Sequence, residues 1–304
     1  MQSLSRGWSF LQQAWQMAFK DKDLIKPSIY ALIVGFIVSV IGIVPLVGAA
    51  FLFGGTSSLV GRVALTVVVA IFIFVHYVVS YVFSGMTVYL IYGYLAEGDG
   101  RMDKAWARVG HELLNIIALA AASTVVSLLT SSLRNRSRQS GNVAAGMIGS
   151  AVGGILETVW TEASYLILPA MMIEDANLVA GIKRATQIAK GNLLLIGVST
   201  VGVRWVTSLI SFGLGAIGLL IGFIVGAGLV AVVGANDITG LVIAISLGAL
   251  IFFVFAIVAS VISTYTMTAY NTCLFLWARD VEKARAQGKP IQVAAPAPLA
   301  AVLA

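Results

Sequence analysis

Four ionisable residues stand inside long apolar stretches of this chain: His76, Glu157, Glu162 and Arg204. A charge in hydrocarbon is costly, so each marks a place where polar chemistry occurs or where a partner is held. Glu162 lies 12 residues before Glu174, and Arg204 lies 12 residues after Asn192. At the helical rise both sit roughly 18 Å from the same end of their helices. The matched depth predicts an ion pair within the membrane. Chemically, such a pair belongs to a polar track for an anion or proton. Structurally, it is a register lock, whose breakage typically costs about 3–5 kcal/mol. Glu157 and His76 fall nearer the opposite boundary. Glu157 and Glu162 are separated by about 140° around a helix, so they do not form a paired acid and base on one face.

Other chemistry has no sequence support. No G-x-x-x-x-G-K-[ST] phosphate cradle and no G-x-S-x-G nucleophile elbow occurs. His76 and His111 lack metal-ligand spacing, and Cys273 is the only cysteine. A disulfide within the chain and a multi-cysteine metal site are therefore excluded. The expectation is a protein without catalytic residues, metal or cofactor.

The elements that hold these residues follow from composition. The chain has 304 residues, 59% of them apolar and 11% charged, and its mean hydropathy is +0.98. Apolar runs of about 20 residues match the span of a bilayer core. They are continuous rather than alternating, which favours helices over a barrel. The predicted fold is an all-α polytopic transmembrane bundle in one domain over residues 1–285. Spans are expected near 28–53, 62–96, 113–133, 142–173, 192–234 and 241–277. The fifth is read as broken near Phe212-Gly213, giving six spans, or seven if each half crosses. Residues 286–304 are read as a disordered Ala/Pro tail. The first 27 residues lack the uninterrupted apolar stretch of a cleavable signal.

Residues 3–19 form an amphipathic helix with Leu4, Trp8, Leu11, Trp15 and Phe19 on one face. Trp8, Trp15 and, in a second short stripe, Trp106 are expected at headgroup level as interfacial anchors. The alternative is a helix docked on the end of the bundle. Orientation follows from Lys and Arg. Arg6, Lys20, Lys22 and Lys26 share a side with segments 97–112 and 174–191 and with Arg279, Lys283, Arg285 and Lys289. Arg62, Arg134, Arg136 and Arg138 lie opposite. The positive-inside rule then places both termini in the cytoplasm of a prokaryotic cell, with the chain in its inner membrane. The net charge of +6 is read as contact with anionic headgroups, not nucleic acid.

Small residues recur at four-residue steps: Gly218, Gly222 and Gly226, and again Gly146, Ser150 and Gly154. Such stripes let helices pack closely, within one chain or between copies. A weak repeat also runs through the chain. An inward helix, an interfacial elbow and an outward helix recur three times, with elbows at Ala14-Trp15, Ala105-Trp106 and Ala185-Thr186.

The start Arg6-Gly7-Trp8-Ser9, the following Ala14-Trp15 and Lys20 to Leu24, and Tyr165 to Pro169 followed by Glu174 resemble a family of uncharacterised prokaryotic integral membrane proteins. That family, a domain of unknown function, is in turn loosely similar to the membrane domains of glycerophosphodiester phosphodiesterases. The resemblance covers about residues 3–285. It implies a bundle of about six helices and transfers no active site. The soluble phosphodiesterase domain is not in this sequence. The leading expectation is a non-enzymatic membrane protein that associates with itself or supports other membrane proteins, with the lipid bilayer as its first partner. The alternative is a channel or permease for a small anion or proton that uses Glu162 and Arg204.

Overall fold

A computed structural model describes residues 2–53, 57–139, 143–191, 193–233, 238–288 and 293–303. Among them every regular element is helical. The order is α1 (Gln2–Lys20), a 3-10 turn (Lys22–Leu24), α2 (Lys26–Leu52), α3 (Leu59–Glu97), α4 (Met102–His111), α5 (Leu113–Gln139), α6 (Val143–Glu174), α7 (Leu178–Gly191), α8 (Leu193–Val233), α9 (Ile238–Ala286) and α10 (Ala297–Leu303). Helices α2, α3, α5, α8 and α9 are long and apolar enough to cross a membrane. A sixth candidate is α6 taken together with α7, which it meets at a 117° bend. The short, amphipathic α4 and α7 turn the chain from one span to the next.

The spans form three hairpins: α2 with α3, α5 with α6, and α8 with α9. Their second members, α3, α6 and α9, also contact one another and make the centre. Packing is concentrated on the elbow side. The buried core takes Phe83 to Ile91 of α3, Leu166 to Met172 of α6 and Tyr265 to Ala278 of α9. Towards the hairpin tips burial falls away, and the most apolar stretches of α2 and α3 are 0% buried by protein. Those surfaces carry Phe36, Ile41, Val63 and Ile71, which suit lipid.

The elbow face is stitched by polar contacts in a repeating pattern. Asp21 Oδ2, just after α1, accepts from Gly100 N (2.7 Å) beyond the end of α3. Arg108 on α4 donates to the Met172 and Met171 carbonyls (2.9 and 3.0 Å) at the end of α6. Arg184 on α7 joins Glu174 (2.9 Å) and Glu282 of α9. Each central helix is followed by a residue of positive φ: Gly98 (80°), Asp175 (60°) and Gly288 (64°). The left-handed turn satisfies end carbonyls and suits glycine, or an Asp held in place. Asp175 is held by Arg108 Nη2 at 2.8 Å.

Three expectations are corrected. Helix α8 is continuous from Leu193 to Val233, so there is no break at Phe212-Gly213, and this segment crosses once. Helical glycine costs only about 1 kcal/mol, and the partner α9 runs alongside to hold the segment straight. Among the described residues five helices qualify as spans, or six with the bent α6–α7 pair, so the seven-span count falls away. The tail is not wholly disordered. Helix α10 starts with Leu299 N and Ala300 N on the Pro296 carbonyl (2.8 and 2.9 Å), packs on α1, and buries Leu299 completely. Finally, α1 buries Gly7, Phe10, Ala14, Met17 and Ala18 against the bundle. It is docked, with Phe10 edge-on to Tyr270 at 5.4 Å. Trp8 and Phe19 stay exposed on the other face.

Candidate functional site

Arg204 Nη2 meets Glu162 Oε1, joining α8 to α6. These two helices otherwise share few contacts, so the pair spans a gap between neighbouring hairpins. On the same side a cavity of about 260 Å³ is lined by Arg204, Thr207 and Ser208 of α8, Tyr165 of α6, and Ser263 and Met267 of α9. The guanidinium therefore faces polar space as well as its carboxylate.

Deeper in the bundle lies a second cavity of about 170 Å³, between α3, α6 and α9. From α3 it receives Tyr77, Ser80, Tyr81 and Ser84. From α6 it receives Trp160, Thr161, Ser164 and Tyr165. From α9 it receives Thr264, Thr268 and Asn271. On each helix these positions recur at three- and four-residue steps, which places them on one face. Ser84 and Thr161 each lie 13 residues from the elbow end of their helix, roughly 20 Å deep. Tyr165 lines both cavities.

Hydrogen bonds fix part of this lining. Tyr81 Oη and Ser123 Oγ of α5 are 2.7 Å apart, and Trp160 Nε1 donates to the same Ser123 Oγ at 2.9 Å. Ser123 Oγ donates to the Leu119 carbonyl at 2.9 Å, and Ser164 Oγ to the Trp160 carbonyl at 2.8 Å. Tyr77 stacks on Tyr81 at 5.8 Å. Thr268 differs. Its side chain is 3% exposed and its Oγ1 has no hydrogen-bond partner. A buried hydroxyl left unpaired costs about 1–3 kcal/mol, and Thr268 Oγ1 is itself closed off from the open space of the cavity.

The remaining predicted residues are placed apart from this centre. His76 bridges α3 to α2, with Nε2 3.0 Å from Ser39 Oγ and Nδ1 3.0 Å from the Phe72 carbonyl. Glu157 pairs with Arg134 of α5 near the hairpin tip. Neither lines the central cavity. Gly218, Gly222 and Gly226 pack inside the α8–α9 hairpin, on Phe255, Gly248 and Ala244. On α6 the packing glycine is Gly153, with a Cβ position 3.4 Å from the Thr130 carbonyl. Gly154 only approaches Arg134, and Ser150 is exposed. That stripe is thus one residue, about 100°, out of register with the α5 contact. The side chain at Gly146 lies outside the described residues. Trp15 is turned into the bundle, donating to Thr266 Oγ1 at 3.2 Å, while Trp8 and Trp106 are each 49% exposed.

At the elbow face, His111, Glu112 and Asp175 lie close enough to share an ion. Arg108 sits 2.8 Å from Asp175 and 3.4 Å from Glu112, so a guanidinium already supplies the positive charge. This cluster locks α4 to the end of α6. The side chain of Glu112, and then the Arg108 guanidinium, hold the Asp175 carboxyl below the usual carboxylate range.

The central cavity escaped the sequence reading because hydroxyls and tyrosines do not interrupt an apolar run as charges do. Their helical spacing was the available signal. No protein-family model and no curated protein matches this chain.

Proposed function

We propose that this protein is a permease or channel for a small polar solute. The observation that carries the reading is the central cavity, where hydroxyl and amide side chains of three long apolar helices meet between apolar walls such as Val88 and Leu168. Hydroxyl and amide groups inside a bilayer replace the hydrogen bonds a solute gives up on leaving water. Tyr165 connects this chamber to the cavity beside Glu162 and Arg204, which acts as its charged neighbour. The elbow face is assigned to the cytoplasm of a prokaryotic cell, on the strength of its Lys and Arg excess.

A self-associating support role has less behind it. Of the two small-residue stripes that motivate it, the one at Gly218, Gly222 and Gly226 is covered by α9 of the same chain, while Ser150 of the other is exposed.

The test is solute entry into liposomes that contain the purified protein. Entry of at least one small polar solute should exceed that into empty liposomes severalfold, and Arg204→Ala should change it. Equal rates with and without protein, across neutral solutes and ions, overturn the proposal.

A further inference from the structure

We infer that the central cavity takes a small uncharged polyol. This inference rests on the permease reading and names its substrate class. Among the described residues, no Asp, Glu, Lys, Arg or His lines the cavity. An ion placed there would lose hydration and meet no opposite charge, which is costly at bilayer depth. Arg204 lines the neighbouring cavity and not this one, and Glu162 lines neither. Anions and protons are therefore poor fits to the chamber itself.

The lining instead matches hydroxyl chemistry. Ser80, Ser84 and Thr264 contribute hydroxyls, each of which both donates and accepts, and so does each hydroxyl of a polyol. Asn271 of α9 adds an amide to the same lining. Stacked Tyr77 and Tyr81 supply an aromatic wall for the C–H face of such a molecule. A cavity of about 170 Å³ has the volume of a few waters at roughly 30 Å³ each, which suits a three- or four-carbon chain.

The experiment compares glycerol, erythritol, urea and potassium chloride in osmotic swelling of protein-containing liposomes. Expected is severalfold faster swelling with glycerol and erythritol than in empty liposomes, and none with the salt. Thr264→Val keeps the side-chain shape and removes a hydroxyl of the lining, and Ser84→Val narrows the chamber. Each should lower the polyol rate severalfold while the variants elute and melt as the parent does. Salt or urea flux without polyol flux overturns the polyol assignment and leaves the permease reading intact. No flux of any solute overturns both. Polyol flux that both variants leave unchanged removes the cavity as the site.

Discussion

Glu162 and Arg204 each keep about a third of their side-chain surface exposed, 31% and 35%. Surface not covered by protein at that depth does not meet bulk water, so stranding one charge keeps the cost of breaking a buried pair. Arg204→Leu or Glu162→Leu alone is expected to destabilise by about 3 kcal/mol. The double change should be milder than the sum, because neither charge is then stranded. Unfolding of the four proteins in mixed micelles measures this, and strict additivity would refute the coupling. This pair was legible in the sequence, since counting residues along a rigid helix is a good ruler of depth. The chamber was not legible, because Ser263, Thr264, Thr266, Thr268, Asn271 and Thr272 crowd one stretch and the sequence alone does not say which of them face a cavity. Asp175 makes a second residue-scale prediction, on pH. Its carboxyl is held below the ordinary value of 3.8, so its stabilising contribution is complete above that value. It is lost as pH falls through the lowered one. Melting temperature against pH should drop in this acid window, and Asp175→Asn should flatten the drop. Identical slopes would exclude Asp175 as the titrating group.

Helix α8 depends on a close approach to α9 over most of its length. A Cβ at Gly248 would stand 2.6 Å from the Gly222 carbonyl, and one at Gly222 would press on Gly248 in return. Gly222→Val must push the two backbones apart, at a cost of about 1–3 kcal/mol. Gly228 has open space around its Cβ position. Gly228→Ala should be neutral or gain up to about 1 kcal/mol of helix propensity. Thermal unfolding of both variants decides it, and an unaffected Gly222→Val would mean the hairpin is looser than described. The sequence marked the stripe correctly as a packing face but could not say which helix fills it. On α6 the contact with α5 falls at Gly153, one residue off the stripe, where the Arg134 side chain and the Thr130 carbonyl lie closest. The sequence also read a glycine-rich α8 as broken, because propensity alone omits the partner that holds the helix straight. The Ala/Pro tail failed for a related reason. Its composition argues for coil, but the Pro296 carbonyl and the burial of Leu299 against α1 stabilise one short helix.

At the scale of the molecule, three hairpins converge on the elbow face and diverge towards their tips, with the polar chamber where their central helices meet. Alternation of apolar run and charged elbow made the spans legible, but not their arrangement, since which hairpin neighbours which is decided by side-chain contacts such as Tyr81 with Ser123. The arrangement puts every elbow, α1 and the end of α9 on one face, so a single orientation assigns all of them together. Site-specific labelling tests that assignment. Cys273 is 0% exposed, so it should stay silent to a thiol reagent in the folded protein. Lys22, Arg62 and Lys283 are exposed, and each can be exchanged for cysteine in turn. In cells whose outer face is open to a charged, membrane-impermeant maleimide, Arg62→Cys should react directly. Lys22→Cys and Lys283→Cys should react only after the membrane is permeabilised. Reaction of all three from outside would reverse nothing in the fold but would mean the barrier was breached. Lys22→Cys and Lys283→Cys reacting from opposite faces would break the topology itself. An odd number of crossings would then separate α1 from the end of α9, and the three central helices could not share one elbow face or one chamber.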